Sequence, residues 1–143
     1  VVLDQNKAGR KDDVFRSYAT PTCGGLLALL AADHGLDDEP VGAAVRWLEA
    51  NPILSYPQGI PEEDPDQWRK VLFFYHLSVR AEAYHAIRKG GAWKEEMVRL
   101  IVEKQKTDGS FANPYGSPNK EDDPLLATAL VVNALTNVKG MGN

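Results

Sequence analysis

Residues 105–128 read QKTDGSFANPYGSPNKEDDPLLAT, a turn-rich segment that ends in an apolar run. Asp123-Pro124 marks the start of a helix there, because aspartate accepts hydrogen bonds from the free N–H groups of a first turn and proline has none to lose. The apolar run continues, and it predicts a helix over 124–137. Asp108-Gly109 has the composition of a tight turn, which ends a preceding helix predicted over 92–106.

Three more helices are predicted upstream from the same signals. Thr20-Pro21 and Asp64-Pro65 repeat the pattern of a capping side chain before proline. Asp38 is placed to cap a helix that starts near Glu39-Pro40, and glycine or Asn-Pro follows the end of each helix. The predicted ranges are 21–32, 40–50 and 66–87. No strand alternation competes with these patterns, so the sequence predicts an all-α protein.

The five predicted helices alternate in character. The first, third and fifth are apolar on more than one face, whereas the second and fourth carry a single apolar stripe. Thr22 and Thr128 stand at similar places in the first and fifth helices, 106 positions apart, which is two units of 53. A repeat of helix pairs with this period is typical of stacked inner and outer helices.

Composition and charge narrow the classes of function. The chain has 143 residues, 43% hydrophobic and 25% charged, as in a soluble globular domain. With a net charge of -4 and scattered Lys and Arg, a nucleic-acid partner is not expected. The longest apolar stretch, 125–135, is too short to span a bilayer. One cysteine, Cys23, and no CxxC or HExxH pattern predict neither a metal nor a cofactor, and the compartment stays open between cytoplasmic and exported.

The most specific motif is Gln105 to Phe111, which closely resembles the Q-x-x-D-G-S-W signature of the squalene cyclase and prenyltransferase repeats, with phenylalanine in place of tryptophan. Residues 123–130 fit the same repeat, and 17–30 resembles a second copy. The stretch 59–76 is similar to bacterial repeat proteins of this superfamily.

The resemblance implies an α/α toroid of inner and outer helix pairs, of which about two and a half are present. It implies that residues 1–19 are the tail of a preceding repeat or loop. Residues 20–143 would then be the helical-repeat domain, as a C-terminal portion of a larger toroid.

The chemistry of the motif favours a structural role. Gln105 stands near the end of an outer helix, where backbone carbonyls lack partners. Asp108 and Gly109 turn the chain, and glycine adopts a positive φ without strain. Phe111 is expected to pack back against the helix pair.

Asp122 and Asp123 are the candidates for a catalytic acid. Squalene–hopene-type cyclases, which the chain resembles, protonate their substrate with D-x-D-D at the start of an inner helix, and Glu121-Asp122-Asp123 stands at that place. Lys120 replaces the first aspartate, and proline follows the pair. Because alkene protonation needs a buried, neutral carboxyl, capping by Asp123 is the simpler interpretation.

Zinc-dependent prenyltransferases of this superfamily use an aspartate, a cysteine and a histidine. Pro21 rather than aspartate stands two places before Cys23, and the histidines show no ligand spacing around it. Cys23 is therefore expected to be a small core residue.

The resemblance also suggests residues that line a cavity. In cyclases, aromatic rings on inner helices line the cavity and stabilise carbocations through their π faces. The corresponding candidates are Tyr18, Trp68, Tyr75, His76 and Tyr84. Ordinary core packing is the alternative for these side chains.

The sequence therefore predicts a non-catalytic or degenerate repeat module that acts in binding or assembly. Two alternatives stay open: a fragment of a cyclase-like enzyme whose acid lies outside this chain, and a binder of isoprenoid or lipid. An incomplete toroid leaves apolar helix faces uncovered. The expected partners are the remaining toroid repeats, the chain itself or another protein subunit, with an apolar isoprenoid as a candidate ligand.

Overall fold

The computed structural model describes residues 6–140, and helices dominate it. The all-α class is confirmed, with a small hairpin added near the N-terminal end. The elements are β1 (Arg10–Lys11), β2 (Val14–Phe15), α1 (Ala19–Ala31), α2 (Glu39–Ala50), α3 (Trp68–Val71), α4 (Phe73–Ala86), α5 (Trp93–Val102) and α6 (Pro124–Lys139). A single 3₁₀ turn covers Ser117–Asn119.

The hairpin was not predicted, because strands of two residues are too short to show alternation. β1 and β2 pair antiparallel, with Arg10 opposite Phe15. Asp12 and Asp13 join them with φ of 51° and 61°. A two-residue hairpin turn with positive φ at both positions follows the twist of its strands, and aspartate tolerates that conformation.

The helix starts confirm some of the predicted caps and correct others. Asp123 caps α6, accepting a hydrogen bond of 2.8 Å from the Leu125 N–H. The prediction that Thr20 caps the first helix is wrong, because α1 begins at Ala19, two residues before the predicted start, and Thr20 is buried within it. A loop supplies the contact instead, since the Ala19 N–H donates to the Gln58 carbonyl at 2.8 Å.

The predicted single helix over 66–87 is in fact two helices, α3 and α4, separated at Leu72. Asp64 still organises the entry to α3, because its carboxylate accepts a bond of 2.6 Å from the Trp68 N–H. The fourth predicted helix, α5, ends at Val102 and is shorter than expected.

α4 is the central helix, and it packs against both α1 and α6. α2 packs against α1, and α5 packs against α6. The predicted difference between helix types holds for α4, which is buried on most sides, and for α2 and α5, which each bury one stripe. It does not hold for α1 and α6, which also bury one stripe each, because each of them packs on α4 from one side. No helix in residues 6–140 has the length and apolarity that crossing a membrane requires.

A smaller core joins the segment before α1 to the loop before α3. It contains Ala8, Ile60 and Leu72, with Tyr18 and Trp68 packed against them. Gly59 permits the close approach of these segments. A Cβ atom there would lie 2.7 Å from the Cα of Tyr18, and the φ of Gly59 is 100°. Both observations require glycine at this position.

Candidate functional site

The break between α3 and α4 leaves backbone groups without helical partners, and a distant loop supplies them. The side-chain amide of Asn113 donates to the Lys70 carbonyl at 2.7 Å and to the Val71 carbonyl at 3.2 Å. These are carbonyls at the end of α3. Asn113 therefore closes α3 from 42 or 43 positions away in the sequence.

Glu121 supplies hydrogen-bond acceptors on the α4 side of the break. Its carboxylate accepts hydrogen bonds of 2.9 Å from the N–H groups of Phe74 and Tyr75, at the start of α4. A third bond of 3.0 Å comes from the Asn113 amide. A negative charge is favourable at this end of a helix, where the free N–H groups point outward. We call this pair of residues the Asn113–Glu121 lock.

The lock is buried, and its loop is tightly folded. Glu121 is fully buried, and burial raises the pKa of its carboxyl, while hydrogen bonds from Asn113 and from the N–H groups of Tyr75 and Phe74 oppose the rise. The Asn113 N–H donates to the Glu121 carbonyl at 2.8 Å. Gly116 fits beneath Glu121, since an added Cβ would lie 2.5 Å from the Glu121 Cβ.

The motif that resembles the family signature leads into this loop. The Gln105 side-chain amide donates to the Gly109 carbonyl at 3.0 Å, so it closes the turn. The expected bond to free carbonyls at the end of the helix is not formed by this amide. Asp108 accepts bonds from the N–H and hydroxyl of Ser110 at 2.9 and 2.7 Å. Gly109 has a φ of 85°. Phe111 is buried edge-to-face against Phe74 on α4, with ring centroids 5.8 Å apart.

A cavity of about 340 Å³ opens beside the lock, and we call it the cationic pocket. Four aromatic and three cationic side chains dominate its wall, and no carboxylate from residues 6–140 lines it. The aromatic residues are Tyr56, Phe73, Phe74 and Tyr115, and the cationic residues are Arg69, Lys70 and Lys104. Asn113 of the lock also lines it.

Each cation of the pocket lies over one of its aromatic rings. The Arg69 guanidinium is 4.5 Å from the centroid of Tyr56. The Lys70 ammonium is 4.9 Å from the centroid of Tyr115. The Lys104 ammonium is 5.7 Å from the centroid of Phe73. The charges are therefore held at the rim of the cavity, next to its apolar walls.

A second polar cluster lies in the core around Arg80, which is fully buried. Its Nη2 donates to the carbonyls of Leu48 and Asn51, at 3.1 and 2.6 Å, and to the Tyr84 hydroxyl at 2.5 Å. The first two bonds close the C-terminal end of α2. Within residues 6–140, Nε and Nη1 of Arg80 and both ring nitrogens of the buried His76 make no hydrogen bond of ordinary geometry.

The protonation of this cluster follows from its burial. Burial, and then the Arg80 guanidinium, lower the pKa of His76 to about 3, so its imidazole is neutral at pH 7. Burial raises the pKa of the Cys23 thiol to about 11, although Arg80 opposes the shift. A protonated, buried thiol is a poor nucleophile and a poor metal ligand. Cys23 lies in the main core.

The predicted catalytic acids, Asp122 and Asp123, are both exposed. Asp123 bonds to the backbone of α6 as its cap. Of the predicted cavity-lining residues, His76 and Tyr84 come together around Arg80, whereas Tyr75 is 42% exposed. Tyr18 and Trp68 belong to the smaller core. None of these five lines the cationic pocket, although Phe73 and Phe74 from the same aromatic run do.

The sequence reasoning missed Asn113, Lys70 and Lys104 as members of one site. They lie on three separate segments, and only the folded chain brings them together. Glu121 had a detectable signal, because it precedes two aspartates at a helix start, but that signal was read as possible acid chemistry. Within residues 6–140, no group of three His, Cys, Asp or Glu side chains is placed to hold a metal ion.

Comparisons with known proteins add no assignment to this geometry: no protein-family model, curated protein or solved structure matches the chain.

Proposed function

We propose that this chain is a non-catalytic portion of a squalene cyclase and prenyltransferase-like toroid, and that it acts in assembly through the outer face of α6. The observation that supports this is the unequal covering of the central helices. α4 is packed between neighbours, whereas α6 leaves apolar side chains exposed: Leu125 is 81% and Val132 is 57% exposed. Leu126 and Leu135 extend this surface. Large apolar side chains left exposed along one helix are a feature of interaction sites.

The occupant that we propose is α1 of a second copy of the chain. α1 and α6 both pack on α4, and they are the two helices whose sequences resemble each other at a spacing of 106 residues. The exposed positions of α1 include Pro21, Gly25 and Ala28, which are small and allow a helix to approach closely. The bulky face of α6 thus complements the small face of α1.

A contact between α6 of one copy and α1 of the next is heterologous, so it continues from copy to copy. It closes into a ring when the rotation between copies allows, and it otherwise extends. Ring closure would give a toroid from several copies of a partial one. No observation in residues 6–140 favours the enzyme-fragment alternative over this assembly role.

Sedimentation velocity tests the proposal. We expect the chain to form species larger than its 15.7 kDa monomer in a concentration-dependent manner. The double variant Leu125→Gln/Val132→Gln should be monomeric, because it makes the exposed face of α6 polar without touching the core. Val14→Gln is the matched control, since Val14 is 67% exposed on the hairpin. A wild-type chain that stays monomeric at high concentration overturns the proposal.

A further inference from the structure

We propose that the cationic pocket binds an amphipathic anion, a small molecule with an aromatic or otherwise apolar body and a carboxylate or phosphate head. This inference is independent of the assembly role of α6. It rests on the pocket's own residues, which come from the loop after α2, the α3–α4 break, the end of α5 and the loop before α6.

The charge of the pocket is opposite to that of the whole chain. The chain carries a net charge of -4, yet the described residues that line this cavity include three cations and no carboxylate. A concave site with charges of one sign focuses its field and attracts the opposite charge. An anion therefore finds a favourable environment in this cavity, although the chain as a whole is negatively charged.

The three cations are not equally free to bind a ligand. Arg69 already donates to the Ile60 carbonyl at 2.7 Å and lies 3.9 Å from the Glu62 carboxylate. Among residues 6–140, the Lys70 ammonium donates only to the Gln67 side-chain amide oxygen, at 3.1 Å. The Lys104 ammonium forms no ion pair or hydrogen bond within the described part of the chain, and its one close contact there is with the Phe73 ring. The anionic head is therefore assigned to Lys70 and Lys104.

The walls between these cations fit an apolar body. The rings of Phe73 and Tyr115 lie beneath the two lysines, and their edges and faces offer stacking surface. The cavity volume is at the lower end of the range for small-molecule sites. One or two fused rings therefore suit this cavity better than a long acyl chain does.

The start of α4 contributes no further anion-binding capacity. Its N–H groups at Phe74 and Tyr75 are already bonded to the Glu121 carboxylate. Binding thus depends on the lysine ammonium groups and the aromatic walls. This dependence makes the proposal testable by changing two side chains, without altering a helix end.

Four naphthalene derivatives with different heads form the test: 2-naphthoate, 2-naphthyl phosphate, neutral 2-naphthylmethanol and the 2-naphthylmethylammonium cation. Affinities are measured on the full chain by isothermal titration and ligand-observed NMR. We expect both anions to bind about tenfold or more tightly than the alcohol, and the cation to bind weakest. A preference between carboxylate and phosphate distinguishes the two sources of the head group.

The double variant Lys70→Met/Lys104→Met keeps the apolar stems and removes the charges. We expect it to lower the affinity for 2-naphthoate by about 25-fold, at about fivefold for each lysine, and to leave the affinity for the alcohol unchanged. Lys139→Met, an exposed lysine at the far end of α6, is the control and should bind like the wild type. Equal binding of the anions and the alcohol overturns the proposal, as does undiminished anion binding by the double variant.

Discussion

Two buried charged side chains, one on the central helix and one bonded to its start, illustrate different ways of placing an ion inside a protein. Glu121 contacts the start of α4, and both of its oxygens accept hydrogen bonds. Arg80 lies further along α4, and its Nε and Nη1 make no hydrogen bond to any group in the described part of the chain. The first charge satisfies a helix end that would otherwise be exposed to an apolar interior. The second charge closes the C-terminal end of α2 through hydrogen bonds from Nη2, while the other nitrogens of the guanidinium are removed from water.

Replacing these two residues should give the largest difference in the free energy of unfolding. Glu121→Met leaves the Phe74 and Tyr75 N–H groups buried without acceptors, and we expect it to lower the free energy of unfolding by about 3 kcal/mol or more. Arg80→Met removes a desolvated charge together with its bonds, so its cost should be smaller, about 1 kcal/mol. Urea unfolding of both variants measures the difference. Equal losses would mean that unsatisfied N–H groups do not distinguish the two sites.

The cluster around Arg80 and His76 should make the free energy of unfolding depend on pH, an effect of intermediate size. The folded-state pKa of His76 is lowered to about 3, so the unfolded chain binds the extra proton below pH 6.5. The contribution of His76 is therefore complete above pH 6.5 and decreases as pH falls, by about 2 kcal/mol between pH 7 and pH 5. The raised pKa of Glu121 acts in the opposite direction above its ordinary value of 4.5, because that contribution decreases as pH rises.

The variant His76→Leu isolates the contribution of His76 to the pH dependence of stability. Its free energy of unfolding should depend less on pH than that of the wild type, over the range from pH 7 to pH 5. The slope of the free energy of unfolding against pH is compared, and not its absolute value, because the substitution also changes packing. Parallel curves for the two proteins would show that His76 is solvated or already protonated in the fold.

The smallest expected difference in stability is between variants of two neighbouring acids, Asp122 and Asp123. Asp123→Ala removes the hydrogen bond to the Leu125 N–H and should cost about 1 kcal/mol. Asp122→Ala alters an exposed side chain and should stay within about 0.5 kcal/mol of the wild type. Thermal melts of the two variants provide the measurement. A larger loss for Asp122 would point to a contact that the capping account omits.

Local chemistry was enough to locate most helices. Asp123-Pro124 predicted the start of α6, and glycine and Asn-Pro signals predicted the approximate ends of α1 and α2. The break at Leu72 was not predictable in this way, because the groups that stabilise it are Asn113 and Glu121. Without them, the apolar sequence from 66 to 87 has the pattern of one continuous helix.

The same reasoning explains why the cationic pocket was missed. Arg69, Lys70 and Lys104 are ordinary charged residues of helical segments when viewed in sequence, and charges at such positions usually face solvent. Their significance depends on Tyr115, which only the folding of its loop brings beneath Lys70. Predicting the site would have required the pairing of segments 45 positions apart.

The lock also determines how motion is shared between parts of the molecule. In an ordinary helix, the first amide protons exchange with solvent as the terminal turn frays. Here the amides of Phe74 and Tyr75 are bonded to a side chain 46 or 47 positions away. Their protection therefore reports the opening of the loop before α6, so a local fluctuation of that loop uncovers the start of the central helix. The two segments behave as one cooperative opening unit.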